Sequence, residues 1–233
     1  MRVVTWNLFH GRSLPPARAE LLAQFAAKLA GWEWDVALLQ EVPPWWPQQL
    51  AHACGAEQRA ALTSRNVLLP LRRAVAQRQP ELIKSNGGGC NAVLSRVPIS
   101  EHATLRLRLW PERRVAQLVR LHDGTCVVNF HASTRRARAE HELASLWEHA
   151  LAWSETGPLI LGGDLNLREP RAPGVEVEHV AAHEVDHLFA SGLARAGEAE
   201  LLDRYTMLGS QRCELSDHAP LRARVASRTD SRR

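Results

Sequence analysis

Lysine is almost absent from this chain of 233 residues, in which only Lys28 and Lys84 accompany the many arginines. Arginine grips a phosphate with two parallel hydrogen bonds and lysine does not, so the bias suits a phosphorylated partner. The formal net charge of +4 and the pI near 9.2 also favour an anionic partner, but weakly. Because GC-rich coding produces arginine-rich chains too, the composition leaves an anionic partner and codon usage both open.

Cysteine is scarce, and its spacing suggests neither a zinc knuckle nor a disulfide framework. The four copies are Cys54, Cys90, Cys126 and Cys213. We expect them to be reduced and mostly buried. Long apolar runs are missing as well, so no membrane span is expected. The first residues lack the pattern of a secretory signal, which makes a cytoplasmic location the default expectation.

The chain shows no solenoid repeat and no internal linker. A length of 233 residues suits one domain of the larger kind, with a core that needs no disulfide support. We therefore predict a single domain over residues 1–226, followed by a disordered tail at residues 227–233. No stable protein partner is indicated, and the expected state is a monomer.

Residues 159–166 form the most informative stretch of what is present, with the sequence LILGGDLN. The apolar residues predict a buried strand, and Gly162 and Gly163 would let backbone or ligand approach closely. Asp164 and Asn166 are alternate residues, so they point to the same side wherever the chain is extended. Asp and Asn after Gly are also ordinary turn formers, and this stretch alone does not decide between a turn and a site.

Apolar and alternating segments elsewhere predict an α/β protein. The predicted strands are residues 2–8, 35–41, 91–96, 102–109, 113–121, 126–131, 183–189 and 221–225. The predicted helices are residues 15–32, a short one ending near residue 53, and residues 136–153. Residues 63–84 have no clear pattern, residues 86–89 read as a flexible turn, and residues 201–208 as a strand or a loop.

Many of these predicted strands end in an acid, an amide or an imidazole, as expected if one edge of a sheet system holds a polar site. The side chains concerned are Asn7, Glu41, His131, Asp164, Asn166, Asp186, Asp217 and His218. Carboxylate and amide oxygens are the ligands of a hard cation such as Mg²⁺ or Mn²⁺. Each residue alone has an ordinary structural explanation, as a turn former, a cap, an ion-pair partner or a core histidine.

Taken in order, seven short motifs resemble the endonuclease/exonuclease/phosphatase superfamily, to which DNase I-like nucleases and several phosphatases belong. The motifs are TWN at 5–7, LQE at 39–41, NAVLSR at 91–96, NFH at 129–131, GGDLN at 162–166, VDHLF at 185–189 and SDHAP at 216–220. The resemblance implies a four-layer α/β/β/α sandwich of two mixed, mostly antiparallel sheets, with the site at one end.

The resemblance also implies roles. Glu41 and Asp217 match metal ligands, with Asn7 beside them. Asp164 and Asn166 match the residues that position the attacking water and hold the scissile phosphate, and the glycines before them would leave room for the substrate.

His218 matches a histidine that contacts a phosphate oxygen, Asp186 the carboxylate that orients it, and His131 a second phosphate-contacting position. An Asp186 partner would favour the imidazolium form of His218.

The sequence predicts less specific roles for several other side chains. Trp45 and Trp46 would either line the approach to the site or pack locally, Arg96, Arg135 and Arg168 could grip phosphates, and His10, His122, His183 and His187 read as structural or exposed.

These observations predict a metal-dependent phosphoesterase whose leading substrate is nucleic acid. The alternatives are a phosphatase or phosphodiesterase acting on a small or lipid-headgroup phosphoester and, from another class, a non-catalytic binding module on the same fold. Residues 65–89 carry no recognisable inositol-phosphatase or sphingomyelinase signature, so the substrate stays open.

Overall fold

Two β-sheets packed face to face form the centre of the molecule, as a computed structural model shows. The structure describes residues 1–63, 66–78, 89–155, 157–174 and 176–227. Among these residues, the first sheet has seven strands, in the order β12, β16, β1, β3, β5, β4, with β13 also on β16. Their bounds are β1 Arg2–Asn7, β3 Val36–Val42, β4 Glu57–Leu62, β5 Cys90–Ser95, β12 Leu193–Arg195, β13 Glu200–Leu201 and β16 Leu221–Ser227.

The second sheet of the described chain has six strands, in the order β10, β11, β9, β8, β7, β6. They are β6 Ile99–Arg108, β7 Arg114–Leu121, β8 Cys126–Asn129, β9 Leu159–Asp164, β10 Val177–His183 and β11 Asp186–Ser191. A small third sheet contains β2 Ser13–Leu14, β14 Tyr205–Leu208 and β15 Gln211–Leu215. Among the described residues of the main sheets, only β1 with β3 and β8 with β9 are parallel, which confirms the mixed, mostly antiparallel prediction.

The helices lie outside the sheets and complete four layers. They are α1 Leu22–Gly31, α2 Pro47–Cys54, α3 Leu69–Arg78 and α4 Arg136–Ser154. One apolar cluster joins the first sheet to α1 and α2, for example through Trp6, Phe25 and Leu50, and another joins the second sheet to α4. A third cluster fills the space between the sheets. No helix among the described residues is long and apolar enough to cross a membrane.

Strand alternation accounts for this layering. In β8, Val127 belongs to the cluster between the sheets, whereas Val128 packs with Phe130 toward α4. The two faces follow the period-two alternation of side chains along a strand. Asn129 also points between the sheets, where its side-chain Nδ2 donates to the carbonyls of Leu39 and Ala92 at 3.0 Å. The two sheets are therefore tied together by polar contacts close to the ends of their central strands.

Several boundaries differ from the predictions. The first helix begins at Leu22 and not near Pro15, since Arg18 has a φ of 55° that no α-helix contains. The strand predicted at residues 183–189 is two strands, β10 and β11, because Glu184 turns the chain with a φ of 53°. Strand β4 was not predicted at all. The four cysteines are buried and free, as expected.

Three predictions fall wholly or partly outside the described residues. They concern residues 86–88 of the predicted turn, residues 64–65 and 79–84 of the segment without a clear pattern, and residues 228–233 of the predicted tail. Ser227 itself is the last residue of β16 and pairs with Leu193.

Candidate active site

The carboxyl ends of the parallel strands of both sheets meet at one end of the sandwich. Strand β1 ends at Asn7, and Glu41 is the next-to-last residue of its parallel neighbour β3. In the other sheet, β9 ends at Asp164 beside its parallel neighbour β8. Asn7 Nδ2 donates to Oδ2 of Asp164 at 2.9 Å, which joins the two sheets at this point. Asp186 begins β11 directly opposite Asp164 in the antiparallel register. The fold thus gathers polar strand ends into one site.

Asp164 lies at the centre of this site and is only 2% exposed. Besides the amide of Asn7, its Oδ2 faces Nε2 of His131 at 3.4 Å and Nε2 of His218 at 3.8 Å. Burial and the nearby charge of Asp186 raise the pKa of Asp164 above the usual range for an aspartate. A carboxylate with a raised pKa is a stronger base toward water than an ordinary aspartate.

The contact between Asn166 and Asp164 differs from the one expected. The expectation of a common direction assumed extended chain, but Asn166 has a left-handed φ of 51°. Its backbone N–H instead donates to Oδ1 of Asp164 at 3.0 Å, and its side-chain Nδ2 donates to the carbonyl of Ala132 at 3.0 Å. The turn predicted for this stretch is therefore present, and it positions the two side chains, whereas their place in a functional site stays a prediction.

His218 and Asp186 form the firmest pair in the site. Nδ1 of His218 lies 2.7 Å from Oδ2 of Asp186, which is 1% exposed. Burial alone would lower the pKa of His218, but the hydrogen bond and charge of Asp186 outweigh it and raise that pKa to about 9. His218 is thus an imidazolium at neutral pH, with its Nε2–H directed toward Asp164 and Asp217.

The backbone of His218 is held as well as its ring. Its carbonyl accepts a hydrogen bond from Nε1 of Trp6 at 3.0 Å, and its N–H donates to Oγ of Ser216 at 3.0 Å. Ser216 in turn donates to the carbonyl of Asn7 at 2.6 Å. The loop between β15 and β16 is therefore fixed to the end of β1, and the histidine position does not depend on its side-chain contacts alone.

Glu41 has a partner that sequence reasoning missed. Nε2 of His10 lies 2.9 Å from Oε2 of Glu41, whereas the sequence alone predicts a structural or exposed role for His10. Burial would raise the pKa of Glu41, but the hydrogen bond and charge of His10, with smaller effects from His131 and His218, lower it to about 2. Glu41 is consequently ionised throughout the physiological range. Both His10 and Glu41 have left-handed backbones, with φ of 54° and 49°.

The imidazole ring of His131 lies beside Asp164 and Glu41 and is neutral. Its ring has Nε2 near Asp164 and Nδ1 4.0 Å from Oε1 of Glu41. Burial and the charge of Arg114 lower the pKa of His131 to about 3, although Glu41 opposes them. His131 and His218 therefore differ in charge near neutral pH.

Asp217 is the most open of the predicted site residues, with a side chain that is 42% exposed. Its Oδ1 lies 4.0 Å from Nε2 of His218. The structure thus brings every predicted site residue to one end of the sandwich, although the roles assigned to them stay predictions.

The amino-acid sequence matches the model of the endonuclease/exonuclease/phosphatase family over residues 4–218. The chain belongs to this family. The match spans the first six motifs and the first three residues of the seventh, and it confirms both the resemblance and the fold expected from it.

Solved structures agree with the family at the level of the fold. An endonuclease/exonuclease/phosphatase from Beutenbergia cavernae is 17% identical, with a TM-score of 0.72 over 97% of this chain and 71% of that one. TDP2 from C. elegans is 17% identical, with a TM-score of 0.66 over 95% and 74%. A mannosyl-6-phosphatase from Bacteroides thetaiotaomicron is 14% identical, with a TM-score of 0.73 over 97% and 99%. No curated protein sequence matches significantly.

As a member of the endonuclease/exonuclease/phosphatase family, the chain is a hydrolytic phosphoesterase, and the family depends on divalent metal ions. Asp164, Asp186 and His218 each place one possible ligand atom within 4.8 Å of the others. The hydrogen bond and charge of Asp186 raise the pKa of His218, which favours the form in which its nitrogens are hydrogen-bond donors. The ionised carboxylate of Glu41 and the exposed one of Asp217 offer the oxygen atoms that a hard cation prefers.

The two glycines before Asp164 serve packing and not the substrate, which corrects the expectation. A Cβ at Gly163 would overlap the backbone oxygen of Phe130, and one at Gly162 would lie 2.7 Å from the carbonyl of His187. The space that they leave is filled by the adjacent strands. Gly163 also has a φ of 137°, which L side chains rarely adopt.

Some loosely assigned residues prove to be structural. Trp46 is 2% exposed and packs on Phe25 with ring centroids 5.4 Å apart. Arg96 stacks over Trp34 at 4.1 Å and donates to the carbonyls of Trp32 and Trp34, so it packs the far side of the first sheet. His187 is fully buried, which agrees with a structural role and excludes an exposed position. Trp45 differs, since it remains half-exposed.

Proposed function

We propose that this phosphoesterase is a divalent-metal-dependent phosphodiesterase whose substrate is nucleic acid. One observation carries the catalytic part of the proposal. Asp164 is buried between the amide of Asn7 and the imidazolium of His218, at 2.9 and 3.8 Å. A base of raised pKa thus lies beside a cationic hydrogen-bond donor, which is the combination that hydrolysis of an anionic ester requires.

The metal ion, Mg²⁺ or Mn²⁺, would be held by Glu41 and Asp217, with the amide oxygen of Asn7 beside them. The donor set fits, since it consists of oxygen atoms and Glu41 is ionised with a pKa of about 2. When bound, such an ion neutralises charge on the phosphoryl oxygens and on the departing oxygen. Asn7 keeps one lone pair for this purpose, because its Oδ1 accepts one hydrogen bond, from the N–H of Phe9 at 2.9 Å.

The protein residues supply positioning and proton transfer. Asp164 accepts a proton from the attacking water and aligns it with the phosphorus atom. His218 donates its Nε2–H to a nonbridging phosphate oxygen, and Asp186 keeps that histidine charged through the 2.7 Å hydrogen bond. Asn166 helps to hold the phosphate through the second N–H of its side-chain Nδ2, the first being donated to the carbonyl of Ala132. The neutral ring of His131 provides a further hydrogen-bonding group beside Asp164.

The choice of nucleic acid rests on charge and on the surroundings of the site. The chain has a net charge of +4, and nearly all of its positively charged side chains are arginines. A half-exposed tryptophan, Trp45, follows the predicted metal ligand Glu41 by four residues. Aromatic and arginine side chains near a phosphate site suit nucleotides, whose bases stack and whose backbone is anionic.

A phosphatase acting on a small phosphomonoester is the second candidate. The observation in its favour is the likeness to the mannosyl-6-phosphatase from Bacteroides thetaiotaomicron, which has nearly the same length, since 99% of it is covered. At 14% identity that likeness shows the fold alone. A lipid-headgroup phosphoester and a non-catalytic module on this fold remain outcomes of the test below.

A substrate panel with and without chelator tests the proposal. Purified protein with Mg²⁺ or Mn²⁺ should cleave single-stranded or double-stranded DNA or RNA, and EDTA should abolish the cleavage. Asp164→Asn and His218→Ala should each lower the rate by at least about 100-fold. Their matched controls are Asp203→Asn and His149→Ala, at exposed positions away from the site, which should leave the rate unchanged. Hydrolysis of sugar phosphates or phosphoinositides with nucleic acids left intact would reject the nuclease assignment.

A further inference from the structure

A cavity of about 350 Å³ opens between the turn after β3 and helix α3. Its walls are mostly apolar, since they come from Pro44, Trp45, Leu69 and Pro70, whereas Arg73 and Gln77 supply its polar groups. Binding sites for small organic groups commonly have this size and this mixture of apolar surface with few polar atoms. None of the catalytic roles described above uses the cavity.

Both walls are connected to the active site. Trp45 follows Glu41 by four residues, so their Cα atoms are at most about 15 Å apart. On the other wall, α3 starts shortly after Asn66, whose Nδ2 donates to the carbonyl of Gly89 at 3.0 Å. Gly89 lies against the ring of His10, which contacts Glu41. The cavity is therefore a neighbour of the site and not a separate surface feature.

The two elements that form the walls leave this surface unfilled. Helix α3 has no buried residue, so its face toward Trp45 is not packed as a core helix would be. The indole of Trp45 is nevertheless held in place, because its Nε1 lies 3.4 Å from Oε1 of Glu20. Trp46, the next residue, is fully packed, which leaves Trp45 as the aromatic side chain that faces the cavity.

We propose that this cavity is a base subsite, in which the heterocyclic base of a nucleotide lies while a phosphate of the same strand occupies the active site. A base has flat faces that stack on indole and proline rings and an edge that forms hydrogen bonds. The amide of Gln77 can both donate to and accept from such an edge, and Arg73 can stack on the base or pair with a flanking phosphate. An alkyl chain would use neither polar group, and a sugar would leave its hydroxyls against apolar walls.

The inference rests on the proposed function and names its substrate more closely. Its test compares a single-stranded oligonucleotide with an oligomer of the same length and backbone made of abasic units. Trp45→Ala should raise KM for the base-bearing oligonucleotide about 5- to 100-fold, as expected for one lost stacking contact, with little change in kcat. Cleavage of the abasic oligomer should not change. Trp45→Phe keeps an aromatic face and should restore most of the affinity.

Arg73 has a matched control on its own helix. Arg73→Ala should also raise KM for the base-bearing oligonucleotide, whereas Arg72→Ala, with the same charge change but no place in the cavity, should not. Equal increases for the two variants would show a general charge effect and overturn the subsite.

A binding measurement separates this inference from the nuclease proposal. In an Asp164→Asn background, a fluorescent oligonucleotide should bind more tightly than its abasic counterpart, and Trp45→Ala should remove the difference. If no oligonucleotide is cleaved but this difference is found, the subsite stands and the nuclease proposal fails. If cleavage occurs and Trp45→Ala changes neither binding nor KM, the nuclease proposal stands and the subsite is refuted.

Discussion

The imidazole Nε2 of His10 lies 2.9 Å from Oε2 of Glu41, and both residues have left-handed backbones. A non-glycine residue in that conformation carries strain of about 1 kcal/mol or more, so two of them in contact suggest a functional constraint. His10 takes one carboxylate oxygen and leaves Oε1 free on the side of His131. This arrangement fixes the orientation of the carboxylate that we propose as a metal ligand.

Replacement of His10 should therefore weaken metal binding. We expect His10→Ala to lower the affinity for Mn²⁺ about 10- to 100-fold, because partners that orient metal ligands have effects of that size. Isothermal titration with Mn²⁺ measures it directly, and the metal-dependent rise of the melting temperature gives a second reading. His122→Ala, in an exposed turn, is the control. An unchanged Mn²⁺ affinity in His10→Ala would show that the contact with Glu41 has only a structural role.

The Asp186 and His218 pair predicts the alkaline limit of activity. The reactive form of His218 carries its proton, so activity should be present below its pKa of about 9 and lost as the pH rises through that value. Asp186→Asn removes the charge that raises this pKa. The alkaline limb should then move down by roughly two pH units, which lowers activity about two-fold at pH 7 and about 10- to 50-fold between pH 8 and 9. The measurement is kcat/KM from pH 5 to 10 with saturating metal.

The control for this experiment is Asp203→Asn, at a surface position paired with Lys28. Its alkaline limb should coincide with that of the parent protein. The assignment of the limb to His218 would fail if Asp186→Asn lowered the rate equally at every pH.

The sequence was sufficient to predict the four layers of the fold and most of the residues that the candidate site brings together. Period-two alternation separated the faces of β8, and each central strand ended in a polar residue because the site is built at strand ends. His218 and Asp186 are 32 residues apart, and only the order of motifs indicated that they would meet. The family's motif order therefore carried long-range information that no local pattern contains.

What the sequence did not reveal depends on backbone conformation and on packing between distant segments. His10 reaches Glu41 because both residues depart from extended or helical geometry, and nothing in their residue types requires this. Likewise, the left-handed Asn166 replaces the alternation that its spacing suggested. Strand β4 has mostly exposed or half-exposed side chains on the edge of its sheet, so it shows no burial pattern to detect.

Gly163 should tolerate no side chain. Its φ of 137° is unfavourable for alanine, and a Cβ there would overlap the backbone of Phe130, the residue that follows the parallel strand β8. We expect Gly163→Ala to lower the free energy of unfolding by about 2–5 kcal/mol, since strain and overpacking add. Gly197→Ala is a matched control, with a φ of 123° but nothing within 4 Å of the added methyl group.

The control variant should lose only about 1–2 kcal/mol, which is the strain alone. Urea unfolding of both variants and the parent protein measures the difference. Equal losses in the two variants would mean that β8 moves aside at little cost, and that close packing at Gly163 is not what selects glycine.

His187 should make the fold sensitive to acid. It is fully buried, with Nε2 2.7 Å from the carbonyl of Leu167 and Nδ1 3.0 Å from Nε2 of His179. Burial lowers its pKa to about 4, although the contact with Leu167 opposes this. An unfolded chain takes up the proton near pH 6.5, whereas the folded chain does so only near pH 4. The contribution to stability is therefore complete above pH 6.5 and is lost as the pH falls toward 4.

The expected loss across this interval is at most about 3 kcal/mol. It is measured as the free energy of unfolding in urea at several values between pH 4 and 7, for the parent protein and for His187→Phe. The variant cannot take up a proton at this position, so its stability should fall less steeply with acidification, whatever its absolute value at pH 7. Other buried groups, such as His131, act equally in both proteins and cancel in the comparison. Parallel curves for the two proteins would show that His187 does not titrate between the folded and unfolded states.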